Sequence, residues 1–433
     1  MVRDHRRGLL HRLGLRLRHA QRHQHLPLTK TMSIHRSLLL IALPFSLALA
    51  QACDKAGDKP HTDTPPEDDT GKPDDSEVED VDQDGDGITG ADGDCDDDDA
   101  KSYPGALELC DKVDNDCDDS IDDGLRVCFY PTEGEGSSME ADFDAGSASS
   151  PAEILLTTAG TLVLGKGEWF VSLRISADVS VTGAGVDETT LSGGDSVSVI
   201  LVEDDLVDAV TLSDLTLTNG QATRLHKDVA KYPAGGGLYC LSSSEPHTTL
   251  TLEGVSITAS SAVVGSALYS LGCTVNINNS NFDGIDAITE TAGVFLENTT
   301  ATISNTTIQN FSATQDGGGV YVTSDASLAL FGSHLLGNKS ASSGGAIFNQ
   351  GQISCAVGQE DGAEGTIQSN TEPGGGGVYI DEYDSAIISS TGCDWGSGTD
   401  DNSPDDVNGD GFTAGQSFTT ESFTCTYLGC TTN

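Results

Sequence analysis

From about Ala152 onward, apolar and polar residues alternate over short runs separated by Gly and Asn. Alternation of period two predicts strands with one buried face. The runs also recur. A small residue followed by an aliphatic and then an aromatic or Ile appears as Gly237-Leu238-Tyr239, Ala267-Leu268-Tyr269, Gly293-Val294-Phe295, Gly319-Val320-Tyr321, Gly345-Ala346-Ile347 and Gly377-Val378-Tyr379. Between them lies a second series: Val210/Leu212/Leu215/Leu217, Leu250/Leu252/Val255/Ile257, Val275/Ile277/Ser280/Phe282, Ala301/Ile303/Thr306/Ile308 and Leu328/Leu330/Ser333/Leu335. The break before Val255, Ser280, Thr306 and Ser333 predicts a corner between two sheets. The spacings of 26 to 32 residues lie within the range of stacked repeat folds.

One such repeat holds too few apolar side chains for a core of its own. Stacking the repeats puts aliphatic on aliphatic along an axis and lets each backbone bond to the repeats on either side. The expected fold is therefore all-β, a right-handed parallel β-helix of about three strands per coil over residues 150–395, with a C-terminal cap over 396–433. Tyr239, Tyr269, Phe295, Tyr321 and Tyr379 are expected to stack in one column. Asn278, Asn305 and Asn338 are candidates for an Asn ladder at a corner, and Gly318-Gly319 and Gly344-Gly345 for tight turns. The stretch Gly160 to Leu191 resembles the first coils of pectate-lyase-like β-helix proteins. The Gly-Gly-Ala-Ile and Gly-Gly-Gly-Val-Tyr turns resemble those of large bacterial surface proteins, and Cys393-Asp394-Trp395-Gly396 to Val407 resembles an end cap of such lipoproteins.

Ahead of the repeats the pattern differs. Met32 to Cys53 has a basic start at His35-Arg36 and an apolar run, Leu38 to Leu49, too short to span a bilayer. It ends in Ala50-Gln51-Ala52-Cys53, which resembles a lipobox with Ala50 where Leu is usual. That resemblance implies lipidation of Cys53 and a cell-envelope location, at the outer membrane or cell surface. The other reading is ordinary cleavage after Ala52 and a secreted product. Residues 1–31 read as an extended basic region or as an upstream start, with Met32 the true one. Residues 54–79 are acidic, contain Lys-Pro and Thr-Pro-Pro, and read as a disordered linker.

Charge sharpens this picture. The formal net charge is −47, and residues 54–123 hold 28 acids against 5 Lys. Such a chain repels nucleic acid, and a membrane is expected to meet it only through an N-terminal lipid. Divalent cations are its natural partners. Within residues 80–128, Asp80-Val81-Asp82-Gln83-Asp84-Gly85-Asp86-Gly87 places carboxylates at alternate positions before a Gly, like the first half of an EF-hand loop. A Glu at the twelfth position is missing. The run continues through Asp94-Cys95-Asp96-Asp97, Pro104-Gly105-Ala106, Glu108, Cys110 and Asp114-Asn115-Asp116-Cys117-Asp118-Asp119 to Asp122-Asp123-Gly124. It closely resembles the MopE-type metal-binding motif of secreted bacterial proteins, departing from it at Asp111-Lys112, where Asp-Gly is usual. The resemblance implies metal binding by Asp80, Asp82, Asp84, Asp86, Asp94, Asp96, Asp114, Asn115, Asp116, Asp118 and Asp122. An all-oxygen set without His or Met favours calcium over copper. Asp406, Asn408 and Asp410 form a shorter run of the same kind, a candidate second metal site.

The ten Cys remaining after Cys53 fit five disulfides in an oxidising compartment. Cys95, Cys110, Cys117 and Cys128 are expected to pair among themselves, and Cys425 with Cys430. Catalysis finds little footing. After residue 150 the only Lys and Arg are Lys166, Arg174, Arg224, Lys227, Lys231 and Lys339, whereas lyases of this fold need such side chains against uronate charge. The Gly-His-Gly and Arg-x-Lys motifs of related hydrolases are absent. His226, His247 and His334 are scattered, and Asp283, Asp286 and Asp316 sit near turns. The expected role is a non-catalytic, calcium-binding envelope protein whose scaffold meets surface glycans or proteins. An extracellular polysaccharide lyase or glycoside hydrolase is the alternative.

Overall fold

The computed structural model describes residues 81–432 except 204–205, 223–231, 244–246, 286, 288, 359–361, 374–375, 383–385, 398, 411, 413–414 and 419–421. The signal and linker readings, Cys53, Asp80, Arg224, Lys227, Lys231, His226 and Asp286 fall outside the described residues. Strand is the dominant regular structure, with turns and bends between the strands. Two short turns of helix, Gly90–Asp92 and Glu140–Asp144, are the exceptions among the described residues.

The strands form parallel ladders that the chain revisits in fixed order. One runs through Ala209–Thr218, Thr249–Thr258, Thr274–Asn278, Thr300–Ser304, Ser327–Phe331, Gln352–Ala356 and Ile387–Thr391. A second follows directly from it through Asn281–Asp283, Thr307–Gln309, His334–Leu336 and Gly365–Gln368. A third joins Ile200–Val202, Leu238–Leu241, Leu268–Leu271, Val294–Glu297, Val320–Val322, Ile347–Asn349, Val378–Ile380 and Val407–Gly409. A short fourth set comprises Ala262–Val264, Thr289–Thr291, Ser312–Ala313 and Lys339–Ser340. Parallel neighbours need a long crossover. Here the strands of the other ladders supply it.

Register explains the core. Leu250, Val275, Ala301, Leu328, Ile353 and Ile388 occupy one column, and Leu252, Ile277, Ile303, Leu330 and Cys355 the next; all are buried. A fully buried aliphatic side chain contributes about 1.5–3 kcal/mol. Ile257, Phe282, Ile308, Leu335 and Ile367 repeat the arrangement beyond the corner.

The corner itself is polar, and the reason is backbone. The chain turns through left-handed residues at Gly254, Asn279, Asn305 and Gly332, with φ between 49 and 59°. A sharp turn takes the following N–H out of the sheet, and a buried N–H without an acceptor is costly. Hydroxyls of the next repeat accept it. Val255 N donates to Ser280 Oγ at 3.0 Å, Ser280 N to Thr306 Oγ1 at 3.2 Å and Thr306 N to Ser333 Oγ at 3.3 Å. Each hydroxyl then donates to the carbonyl two residues before it.

A second polar column is Asn338, Asn370 and Asn402, all buried. Asn338 Oδ1 accepts from Phe311 N, Asn370 Oδ1 from Asn338 N, and Asn402 Oδ1 from Asn370 N. Of the three Asn expected in a ladder, Asn338 belongs. Asn305 instead holds the left-handed corner, which Asn tolerates better than most residues. Asn278 lies half-buried in a strand.

The aromatic column contains Tyr239, Tyr269, Phe295, Tyr321, Phe348 and Tyr379, with successive centroids 4.6–5.7 Å apart and planes within 28°. Phe348 was not expected there. Ile347 pairs with Val320 and Phe348 with Tyr321, so the alignment of Gly345-Ala346-Ile347 with Gly319-Val320-Tyr321 is one residue out. Because side chains alternate faces, a one-residue slip exchanges core for surface. Inward burial selects Ile347. Neighbouring rings cover one another's faces, so the column presents ring edges.

Both ends close with antiparallel strands. Val127–Pro131 pairs antiparallel with Gly160–Leu164, and Phe143 meets Trp169 edge-on at 6.0 Å. Ser422–Thr426 pairs antiparallel with Ile387–Thr391 and folds back on Gly429–Thr432. Terminal strands of reversed sense protect an otherwise open edge. Parallel pairing thus runs past residue 395, to Gly409. The disulfides are Cys95–Cys117, Cys110–Cys128, Cys240–Cys273, Cys355–Cys393 and Cys425–Cys430.

Candidate metal centre

Residues 81–124 have almost no apolar interior. Val81, Leu107 and Ile121 are exposed, and the buried residues are Asp94, Ser102, Cys110 and Asn115. Small modules of this sort need covalent or ionic staples. Two disulfides serve, Cys95–Cys117 within the segment and Cys110–Cys128 joining it to the first strand. Carboxylates do the rest by accepting backbone N–H groups at turns.

The carboxylates gather in two places. Asp114, Asp116 and Asp118 each bring an oxygen within 4.8 Å of the others, and Asp116 also joins Glu108 and Asp123 on the same terms. Glu108 is drawn in because its Oε1 accepts from Asn115 N at 2.8 Å and Asp116 N at 2.9 Å. Its second oxygen, Oε2, is buried without a hydrogen-bond partner, as is Asp116 Oδ1. Burial raises the Asp116 pKa, with Asp118, Asp123 and Asp114 adding repulsion. Converging carboxylate oxygens, some buried and unpaired, are a donor set that a hard cation fits. A cleft of about 580 Å³, lined by Lys101, Glu108, Lys112 and Tyr130 among others, opens beside this cluster.

The other gathering is Asp82, Asp84 and Asp86, again within 4.8 Å of one another. Asp82 accepts from Gly85 N and Gly87 N, Asp84 from Asp86 N, and Asp86 from Ile88 N.

Several expected ligands have other tasks. Asp96 is exposed and joins neither cluster. Asn115 is buried, and its Oδ1 accepts from Leu109 N at 2.8 Å. Asp122 accepts from Asp111 N and Lys112 N and from the Tyr130 hydroxyl, which ties the segment to the first strand. Lys112 has φ 67°, which accounts for the Gly usual at that place in the motif. Glu108 and Asp123 were not among the expected ligands. Their signal lay in the motif's Glu and its closing acidic pair.

Asp406, Asn408 and Asp410 make no acidic cluster among the described residues. Asp406 is wholly buried and ends the Asn column, accepting from Asn402 Nδ2 at 2.8 Å and Phe418 N at 2.6 Å. Burial pushes its pKa up to about 6. Asp410 accepts from the Tyr379 hydroxyl at 2.6 Å.

The Cu-binding MopE family model, a metal-binding motif, matches residues 94–123. The match spans the Asp116-centred cluster and stops short of Asp82, Asp84 and Asp86. No curated protein and no solved structure matches the chain significantly. What geometry and comparison together define is a metal-binding motif followed by a large, mostly parallel sheet.

Proposed function

We propose that this chain is an exported, non-catalytic calcium-binding protein of the cell envelope, lipid-anchored at Cys53 and elongated for contact with surface glycans or matrix proteins. The ladders support a right-handed parallel β-helix. The chain visits them in constant order, and crossovers between parallel strands of one sheet are right-handed in roughly 98 % of cases. The single observation that carries the metal reading is the Asp116-centred cluster, with buried, unpaired oxygens on Glu108 and Asp116 inside the matched motif. Its donors are all oxygen, and its neighbouring Cys are paired, which favours calcium and gives copper no soft ligand. Two of the described basic side chains after residue 150 are engaged in ion pairs. Arg174 binds Glu153 and Glu203, and Lys166 binds Glu188.

The test is calorimetric titration of the purified protein with Ca²⁺, Mg²⁺ and Cu²⁺, alongside Asp116→Asn. Saturable Ca²⁺ binding that weakens at least tenfold in the variant is expected. Absence of Ca²⁺ binding, or tighter Cu²⁺ binding that survives the substitution, refutes the reading.

A further inference from the structure

We infer that the outer face of the third ladder, from Phe295 to Tyr379, binds a polycationic glycan, an amino-sugar polymer with free amines. This rests on the reading of the ladders as a contact surface and names the chemistry of the partner.

The face is built by alternation. Val294, Val320, Ile347 and Val378 point inward and are buried, so Phe295, Tyr321, Phe348 and Tyr379 point outward. Tyr239 and Tyr269, earlier in the column, are buried, whereas Phe295, Tyr321 and Tyr379 are half-buried. Neighbouring rings cover one another's faces, with centroids 4.6–5.7 Å apart. What meets solvent is a row of ring edges, one per coil, with coils about 4.8 Å apart.

Carboxylates flank this row. Glu297 and Asp381 stand two residues beyond Phe295 and Tyr379 on the same face, and Asp410 holds the corresponding place in the next coil. Glu297 accepts from the Tyr269 hydroxyl at 2.7 Å, and Asp410 from that of Tyr379 at 2.6 Å. Asp316 lies at the other end of the strands, in the turn that leads into Val320. Burial raises the Asp316 pKa and Asp410 adds repulsion; burial and then Asp410 raise that of Asp381. Among the described residues after Arg174, Lys339 on the fourth ladder is the only Lys or Arg. The face therefore repels an anionic polymer and draws a cationic one.

The row of rings decides the kind of polycation. It is a narrow apolar strip along the axis, which suits an extended chain better than a single ion. A peptide laid on a sheet face finds no partners for its backbone N–H and C=O groups, because those of the ladder already bond to neighbouring coils. A saccharide has no such groups to satisfy. Its C–H surfaces cover the ring edges, its hydroxyls meet side chains such as the half-buried Gln315 and Gln350, and its ammonium groups meet the carboxylates. A sugar unit is close in length to the rise of one coil, so amines and carboxylates keep step along the row.

The experiment is calorimetric titration of the purified protein with a β-1,4-linked glucosamine hexamer, its fully N-acetylated counterpart and hexalysine. It is run at mildly acid pH and low salt, in buffer containing Ca²⁺ so that ions rather than amines occupy the acidic segment. Saturable binding of the glucosamine hexamer is expected, weakened at least tenfold in Asp381→Asn/Asp410→Asn and also weakened in Glu297→Gln, with circular dichroism unchanged. Equal affinity of wild type and both variants places the amines elsewhere on the chain and overturns the site. Tighter binding of hexalysine assigns the face to a peptide, and equal or tighter binding of the acetylated hexamer removes the role of the amines; either overturns the glycan assigned here and leaves the contact reading standing. Binding of none of the three overturns both.

Discussion

Replacing Asn370 by Ala tests whether the buried Asn column holds the repeats together. Asn370 is fully buried. Its Oδ1 accepts from Asn338 N at 2.9 Å, and its Nδ2 donates to Leu335 O and to Asn402 Oδ1, both at 2.9 Å. Truncation removes all three bonds and leaves the Asn338 N–H buried without its acceptor. A net hydrogen bond contributes about 0.5–1.5 kcal/mol, and orphaning a buried polar group costs about 1–3 kcal/mol. The bonds share one side chain and are not additive, so the expected loss is about 2–4 kcal/mol. Stacked repeats need not unfold in one step. Hydrogen exchange across residues 335–410 is therefore the assay, with urea unfolding beside it. Asn278→Ala, in a half-buried strand position, is the control and should stay within about 0.5 kcal/mol of wild type. Equal effects from the two substitutions would refute the argument, because burial and bonding of Asn370 would then carry no weight.

Three further outcomes are expected. Chelation of divalent cations should speed hydrogen exchange and proteolysis in residues 81–128 and leave the ladders protected. A ligand at a hundred times its Kd stabilises by about 2.7 kcal/mol, and no apolar core here replaces it; unchanged protection would count against any structural ion. Asp406, lifted by burial to about 6, holds its proton more tightly folded than unfolded. Stability of the C-terminal end should therefore fall as pH rises from about 4 to about 6, and Asp406→Asn should flatten that slope; a slope of opposite sign in urea melts would contradict this. Gly345→Ala should disrupt the turn it occupies, because a Cβ there would lie 2.4 Å from Gly376 O and 2.8 Å from Thr371 N. A variant with wild-type melting behaviour would show that the neighbouring repeat yields more easily than its backbone bonding implies.

Much was legible in the sequence because period-two alternation and a recurring unit report burial directly. The inward columns through Leu250 and Leu252, the corner at Val255, Ser280, Thr306 and Ser333, and most of the aromatic column needed nothing else. The gathering of acids into a metal-binding motif was equally plain, as was the confinement of the first four Cys to their own pairs. Register was harder. Whether Ile347 or Phe348 faces the core depends on what the neighbouring repeats bury, and a run of small residues before them fits both choices. The roles of individual acids were beyond a linear reading. Asp116 and Asp122 look alike along the chain, yet one has a buried, unpaired oxygen among other carboxylates and the other binds Tyr130 and two backbone N–H groups. Asp406 likewise reads as a ligand beside Asn408 and Asp410 until the Asn column is seen to end on it. Local pattern determines which face a residue takes. Which atoms then meet it is decided by distant segments, and only the folded chain brings those together.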